Sequence, residues 1–455
     1  MSFTAIDPAT GDTISTHADT DPGDAFAVVR LAHQAQTEWC RTGMKERSGL
    51  LANLGRLLGD RKSRYAELMT SEMGKPISQA LAEVEKCAWL CEYYADHAAE
   101  FLAPVAVDTD ASTSYWCYRP LGIVLGIMPW NFPFWQVIRF AAPAITAGNA
   151  ALLKHAPSVP GCALALEAIF SDAGYPPNVF RNLFADVPLT GELIEHPLVR
   201  AVSLTGSVRA GRSVAARAGG VIKKCVLELG GSDPSVVLGD ADMELAVNSC
   251  FAGRMLNAGQ SCIAAKRFVV VESVLNAFQE AIVERMSATV MGDPMDPATE
   301  LGPMARLDLR DTLHDQVIRS VHSGARLLVG GVVPDRPGAW YPATVLAGVG
   351  PGMPAYHEEL FGPVATIIPV VDEEDAIRVA NATSFGLGAS VYTADTEKGE
   401  RIARDMLDAG NCFVNGMVKS DPRLPFGGTK ESGYGRELSP LGLREFTNVK
   451  TVWVR

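Results

Sequence analysis

The chain of 455 residues is short of several things. It lacks a basic excess: 40 Lys and Arg stand against 52 Asp and Glu, a net charge of −12. A nucleic-acid partner is therefore not expected, because phosphate binding needs a basic surface. No Cys-x-x-Cys pair occurs among its 9 scattered cysteines, an odd number, which argues against a disulfide framework and for a reduced cytoplasmic protein. The start, Met-Ser-Phe-Thr-Ala-Ile-Asp-Pro, has no basic n-region and no apolar h-region, so no signal peptide is read there. The greasiest stretch, 121–153, is broken by Pro129, Pro133, Pro143 and Arg139, which excludes a membrane span. Internal repeats and low-complexity tracts are absent, as is the Gly-x-Gly-x-x-Gly string that usually marks a dinucleotide site.

What is present is an average globular composition, 47% hydrophobic and 20% charged. That excludes disorder and supports two to four domains with large cores. Residues 24–103 read mostly as helices, and in 84–98 the positions Val84, Cys87, Ala88, Cys91, Tyr94, Ala95 and Ala98 form an apolar stripe. Cys87 and Cys91 share that stripe at i, i+4; core packing is the better reading than a metal site, since no histidine partner is near. From 121 to 290, short β-like runs (122–128, 150–154, 199–204, 235–238, 268–271) alternate with helix-like stretches (158–173, 207–219, 241–256). That rhythm predicts an α/β fold with a parallel sheet covered by helices. A second alternating block has candidate strands at 366–371, 389–392 and 411–414, then a Gly/Pro/Lys-rich loop at 415–436.

Four strings could carry chemistry. Thr205-Gly206-Ser207 follows an apolar strand and opens a helix, a junction that offers free N–H groups to a phosphate. The same string, Gly206-x-x-x-x-Gly211-Arg212-Ser213, also reads as a Walker A loop with arginine for lysine, or as an ordinary glycine turn. Cys262 stands behind a Gly-Gln-Ser turn, where a thiolate could serve as nucleophile, either toward a carbonyl or in a Cys–His hydrolase with distant partners. Glu228 ends an apolar run before two glycines; burial would raise its pKa and make it a usable base, whereas exposure would leave an ordinary strand-end glutamate. Asn131, in Pro-Trp-Asn-Phe-Pro, is an amide inside an apolar run, suited to donate to an oxyanion or to bond backbone.

Together the strings resemble the aldehyde dehydrogenase superfamily over nearly the whole chain. The resemblance rests on Pro-Trp-Asn-Phe-Pro at 129–133, Thr-Gly-Ser at 205–207, Glu-Leu-Gly-Gly at 228–231, Gly-Gln-Ser-Cys at 259–262, Glu-Leu-Phe-Gly-Pro at 359–363 and Pro-Phe-Gly-Gly-Thr-Lys-Glu-Ser-Gly at 425–433. Strings at 153–157, 229–234 and 264–268 look most like the bacterial NAD(P)-dependent succinate-semialdehyde dehydrogenases. Six ordered motifs weigh against the P-loop NTPase and the Cys–His hydrolase. Asn131, Cys262 and Glu228 occurring together weigh against a silent binding protein.

The resemblance implies roles. Cys262 is the nucleophile, Asn131 the oxyanion donor and Glu228 the base that releases a thioester. Trp130, Lys154, Pro157, Thr205, Gly206, Ser207, Glu359 and Phe361 fall on cofactor positions. Among them Lys154 corresponds to the ribose lysine, and Pro157 to a place where NAD-preferring relatives often carry glutamate. NADP or NAD is the implied cofactor, with no metal. Arg139 and Ser420 match substrate residues, and Arg139 has an internal ion pair as its alternative; Trp135 and Phe426 suit an apolar wall and would equally favour a bulkier or aromatic aldehyde. Leu256 replaces a second arginine that some relatives carry, with Arg254 close by. Ala264 replaces a cysteine that forms a redox switch in others. The implied architecture has a Rossmann-like cofactor domain (1–104 and 121–228), an α/β catalytic domain (229–435) and a β-flap (105–120 and 436–455) that joins subunits into a homodimer or homotetramer.

Overall fold

The computed structural model describes residues 3–455. The N-terminal helices form where the apolar stripes were read: Pro22–Trp39, Met44–Asp60, Lys62–Met73 and Ile77–Phe101. Asp21 caps the first by accepting from the Gly23 N–H, and Gly74 ends the third in the left-handed conformation that glycine adopts without strain. Cys87 and Cys91 are fully buried on the fourth, packed into the core with Leu54, Leu58 and Leu90. No cluster of three or more potential metal ligands lies among the described residues.

The alternating region builds two sheets. One orders its strands Gly433–Tyr434, Lys224–Glu228, Val199–Thr205, Ile123–Met128, Ala150–His155, Phe180–Asn182; all pairs are parallel except the first. The other runs Arg326–Val329, Thr344–Ala347, Val364–Val370, Ala265–Val271, Asp233–Val237, Gly388–Tyr392, Asn411–Val414, again parallel except at the first pair. Each carries an apolar cluster on both faces, as parallel sheets require. The chain passes from one sheet to the other within Leu229–Ser232.

Two differences from the sequence reading have clear causes. The string 433–434, assigned to the second block, pairs instead with Leu227 and Glu228 of the first sheet. The stretch 436–455 is not strand throughout: Ser439–Glu445 is a helix with Leu443 fully buried, and only Thr447–Val454 is strand. That strand lies antiparallel to Thr113–Pro120, which also pairs with Val105–Ala106. The Thr447–Val454 strand forms an open edge of this small sheet, with Val449, Trp453 and Val454 exposed. No helix among the described residues is long and apolar enough to cross a membrane.

Candidate active site

Strand ends assemble the site. Parallel sheets leave a crevice outside the C-terminal ends of their strands, and Lys154, Thr205 and Glu228 all sit at such ends. Two cavities meet here. The first is lined by Pro129, Trp130, Asn131, Thr205, Gly206, Ser207, Leu229, Gly230, Glu359 and Phe361, together with Gln136, Leu309 and Cys262. The second, some 810 Å³ of empty space including its mouth, has walls that include Phe132, Trp135, Arg139, Leu256, Ser420, Phe426 and Lys86. Cys262 and Gln136 line both. A thiol at the junction of two cavities can face a different ligand on each side.

The first cavity fits a dinucleotide. The strand Val199–Thr205 ends only two residues before the helix Val208–Gly220, and Ser207 caps that helix by accepting from the Ala210 N–H at 3.3 Å. Gly211 lies inside the helix, where a Cβ would sit 2.5 Å from Leu229 Cδ1. It is a packing glycine, so no Walker A loop exists and the NTPase reading falls. Glu359 accepts through Oε1 from the Gly231 N–H (3.0 Å) and pairs through the same oxygen with Lys266 (3.1 Å), so Oε2, with no hydrogen bond among the described residues, can take a ribose hydroxyl. Trp130 meets Phe361 edge-on, with ring centroids 5.9 Å apart. Lys154 forms no ion pair among the described residues, and burial holds its pKa below the usual lysine value. Pro157 is exposed and carries no charge that would repel a phosphate.

The nucleophile loop is held from several sides. Asn257, Ala258 and Gly259 all have positive φ, 57°, 52° and 72°. Lys266, fully buried, donates to the carbonyls of Ser261 (2.9 Å) and Cys262 (2.8 Å). Asn131 donates from Nδ2 to the Gln260 carbonyl (3.0 Å) and accepts from Gln136 (3.1 Å). One Asn131 amide proton is thus left over, and the Cys262 backbone N–H bonds no backbone acceptor among the described residues. Burial pushes the Cys262 thiol up to about 12, against the pull of Arg139 and Lys266. A thiol so raised needs its proton drawn off before it can act as the thiolate nucleophile read from the sequence.

Glu228 is 2% exposed, and neither carboxylate oxygen has a hydrogen-bond partner among the described residues. Burial first, then the nearby Glu437, raises its pKa well above the usual carboxylate range, while Arg139 and Arg436 oppose this. It borders neither cavity, yet its charge reaches the Cys262 thiol. Arg139 lines the second cavity and also forms a buried ion pair with Glu437, so it is not a free cation. Its guanidinium lies 4.9 Å from the Phe426 centroid. Arg254 points away: it is fully buried and donates to the Gly259 carbonyl at 2.6 Å, while Leu256 faces the cavity. Sequence reasoning missed Gln136, Lys266 and Lys86. A glutamine on a greasy helix, a strand lysine and a helix-flank lysine carry no local signal.

A thiol between two cavities, an amide with a proton to spare and a buried carboxylate behind them define a class, and the family comparison agrees. The model described as "Aldehyde dehydrogenase family" matches residues 1–452, and the chain belongs to that family. It is 48% identical to the succinate semialdehyde dehydrogenase [NAD(P)+] Sad of Escherichia coli, over 99% of this chain and 97% of that protein. It is 47% identical to a probable succinate-semialdehyde dehydrogenase [NADP(+)] of Synechocystis, over 100% of both. Among solved structures, the succinic semialdehyde dehydrogenase of Streptococcus pyogenes in complex with NADP+ superimposes with a TM-score of 0.97 at 36% identity, covering 99% of each chain.

Proposed function

We propose that this enzyme oxidises succinate semialdehyde to succinate with NADP or NAD, through a thioester on Cys262. The observation that carries the reading is the position of Cys262 on both cavities. An aldehyde entering by the second cavity is attacked by the Cys262 sulfur, whose proton passes to water in the cavity as the S–C bond forms. The resulting oxyanion is met by the spare Asn131 amide proton and the Cys262 N–H, each worth roughly 2.7–4 kcal/mol in such a role. The nicotinamide supplies the hydride acceptor when bound. Lys154, Ser207 and Glu359 hold the cofactor, with Thr205 and Gly206 lining its path and Phe361 against Trp130. Glu228 then turns from its pocket beside Arg139 and Glu437 and takes a proton from water as it attacks the thioester. Burial and Glu437 raise its pKa in that pocket, and turning out toward water relieves the burial that disfavours its charged, basic form.

Residues 1–104 with 121–228 serve as the cofactor domain and 229–435 as the catalytic domain. The strand Thr447–Val454, paired on one side only with Thr113–Pro120, offers an open edge for a second subunit, which supports a homodimer or homotetramer. Free thiols at all nine cysteines suit the cytoplasm.

Replacing Cys262 by alanine should abolish aldehyde oxidation, measured as NAD(P)H formation; acid production at the parental rate would overturn the reading. Glu228→Gln should give a burst of NAD(P)H followed by a stall at the acyl-enzyme, seen as a mass adduct on Cys262. With Pro157 in place of a carboxylate, kcat/KM for NADP should lie within about a thousandfold of that for NAD, a gap of roughly 4 kcal/mol at most.

A further inference from the structure

Lys86 is a cation on the wall of the second cavity that forms no ion pair among the described residues. It sits on the flank of the helix Ile77–Phe101, whose other side is the buried stripe of Val84, Cys87 and Cys91. Its Nζ donates to Ser420 Oγ at 2.7 Å and stands 4.5 Å from the Trp135 ring centroid. The carboxylates nearest to it are committed elsewhere. Glu83 is paired with Lys75 and accepts from the N–H groups of Phe134 and Trp135. Asp421 is held by Arg423. The other buried cation of the wall, Arg139, is ion-paired with Glu437, and Lys419 is exposed.

A half-buried ammonium satisfied by one hydroxyl and one ring face is under-compensated. Burial, then the Arg139 charge, lowers its pKa to about 8. A carboxylate arriving in the cavity would supply what is missing. Ser420 already accepts from Lys86, so its O–H is free to donate to the same anion. The same cavity reaches Cys262, and its wall carries Phe132, Trp135 and Phe426 together with Arg139 and Gln136.

We propose that Lys86, with Ser420, is the anchor for the far carboxylate of the substrate and restricts the enzyme to short aliphatic aldehydes carrying a terminal acid. The inference rests on the dehydrogenase reading above and adds the residue that makes it acid-selective.

The test compares succinate semialdehyde with butanal in the wild type, Lys86→Met and Lys86→Arg, across pH 7 to 9.5. The ratio of kcat/KM for the acid over the neutral aldehyde should fall about ten- to a hundredfold in Lys86→Met. Lys86→Arg should restore most of it. In the wild type that ratio should also fall as pH rises through about 8, where the amine loses its charge. The fall should vanish in Lys86→Arg, whose guanidinium stays charged. An unchanged ratio in Lys86→Met, or a pH dependence that persists in Lys86→Arg, overturns the anchor while leaving the dehydrogenase intact. A wild type that oxidises neither aldehyde overturns the proposed function itself.

Discussion

The chemistry of Cys262 depends on charges that sequence neighbours do not supply. Burial pushes its thiol up to about 12, so little thiolate exists at neutrality before ligands bind. Alkylation of Cys262 by iodoacetamide in the enzyme alone, followed on its peptide by mass spectrometry, should therefore climb about tenfold per pH unit from 7 to 9. A plateau already reached at pH 7 would mean a preformed thiolate. Arg139 poses a related problem. The sequence offered a grip on substrate or an internal ion pair, and Arg139 both borders the cavity and pairs with Glu437. Its loss strands one buried carboxylate and removes a charge that restrains the pKa of Glu228. Arg139→Ala should therefore lower kcat for succinate semialdehyde and butanal alike, and cost about 3–5 kcal/mol of stability by chemical denaturation. A loss confined to the acid substrate would restore the simpler role.

At the scale of elements, the motif strings mark places where backbone must do something unusual. Gly259 has φ of 72°, and a Cβ there would come within 2.2 Å of the Gly362 carbonyl oxygen. The loop 257–262 and the loop after Glu359 are thus pressed together, one bearing the nucleophile and the other Phe361. Gly259→Ala should reduce kcat at least tenfold and cost about 1–3 kcal/mol in urea unfolding. Wild-type kinetics in that variant would show that the loop tolerates the shift. Such glycines are legible because few residues serve there. The helix Ser439–Glu445 was not: its seven residues are too few to show a period, and Leu443 is helical because it packs into the core.

For the molecule as a whole, the two sheets and the crossing at 229–232 bring residues from five separate motifs to one crevice. His155, at the end of the strand Ala150–His155, fastens this region, within hydrogen-bond reach of the Met128 and Pro133 carbonyls at 3.3 and 3.0 Å. Burial lowers its pKa to about 4, below the value near 6.5 expected when unfolded. Between those two values the unfolded chain binds more protons, so this contribution is complete above about pH 6.5 and drains away as pH falls toward about 4. The urea midpoint should drop over that window, and less steeply in His155→Asn. Equal slopes in both proteins would place the acid sensitivity elsewhere.

The sequence by itself determined the alternating strands and helices, the apolar stripes and the residues fit for thiol, amide and carboxylate chemistry. These follow from local periodicity and from residue types that few alternatives can replace. Only the tertiary structure decided which charges are spent and which are free. Arg139 and Glu437 lie far apart in sequence yet form an ion pair, whereas Lys86 resembles any solvated helix lysine until Trp135 and Ser420 close around it. Pairing of charges is a matter of distance and dielectric, and neither exists until the chain has folded.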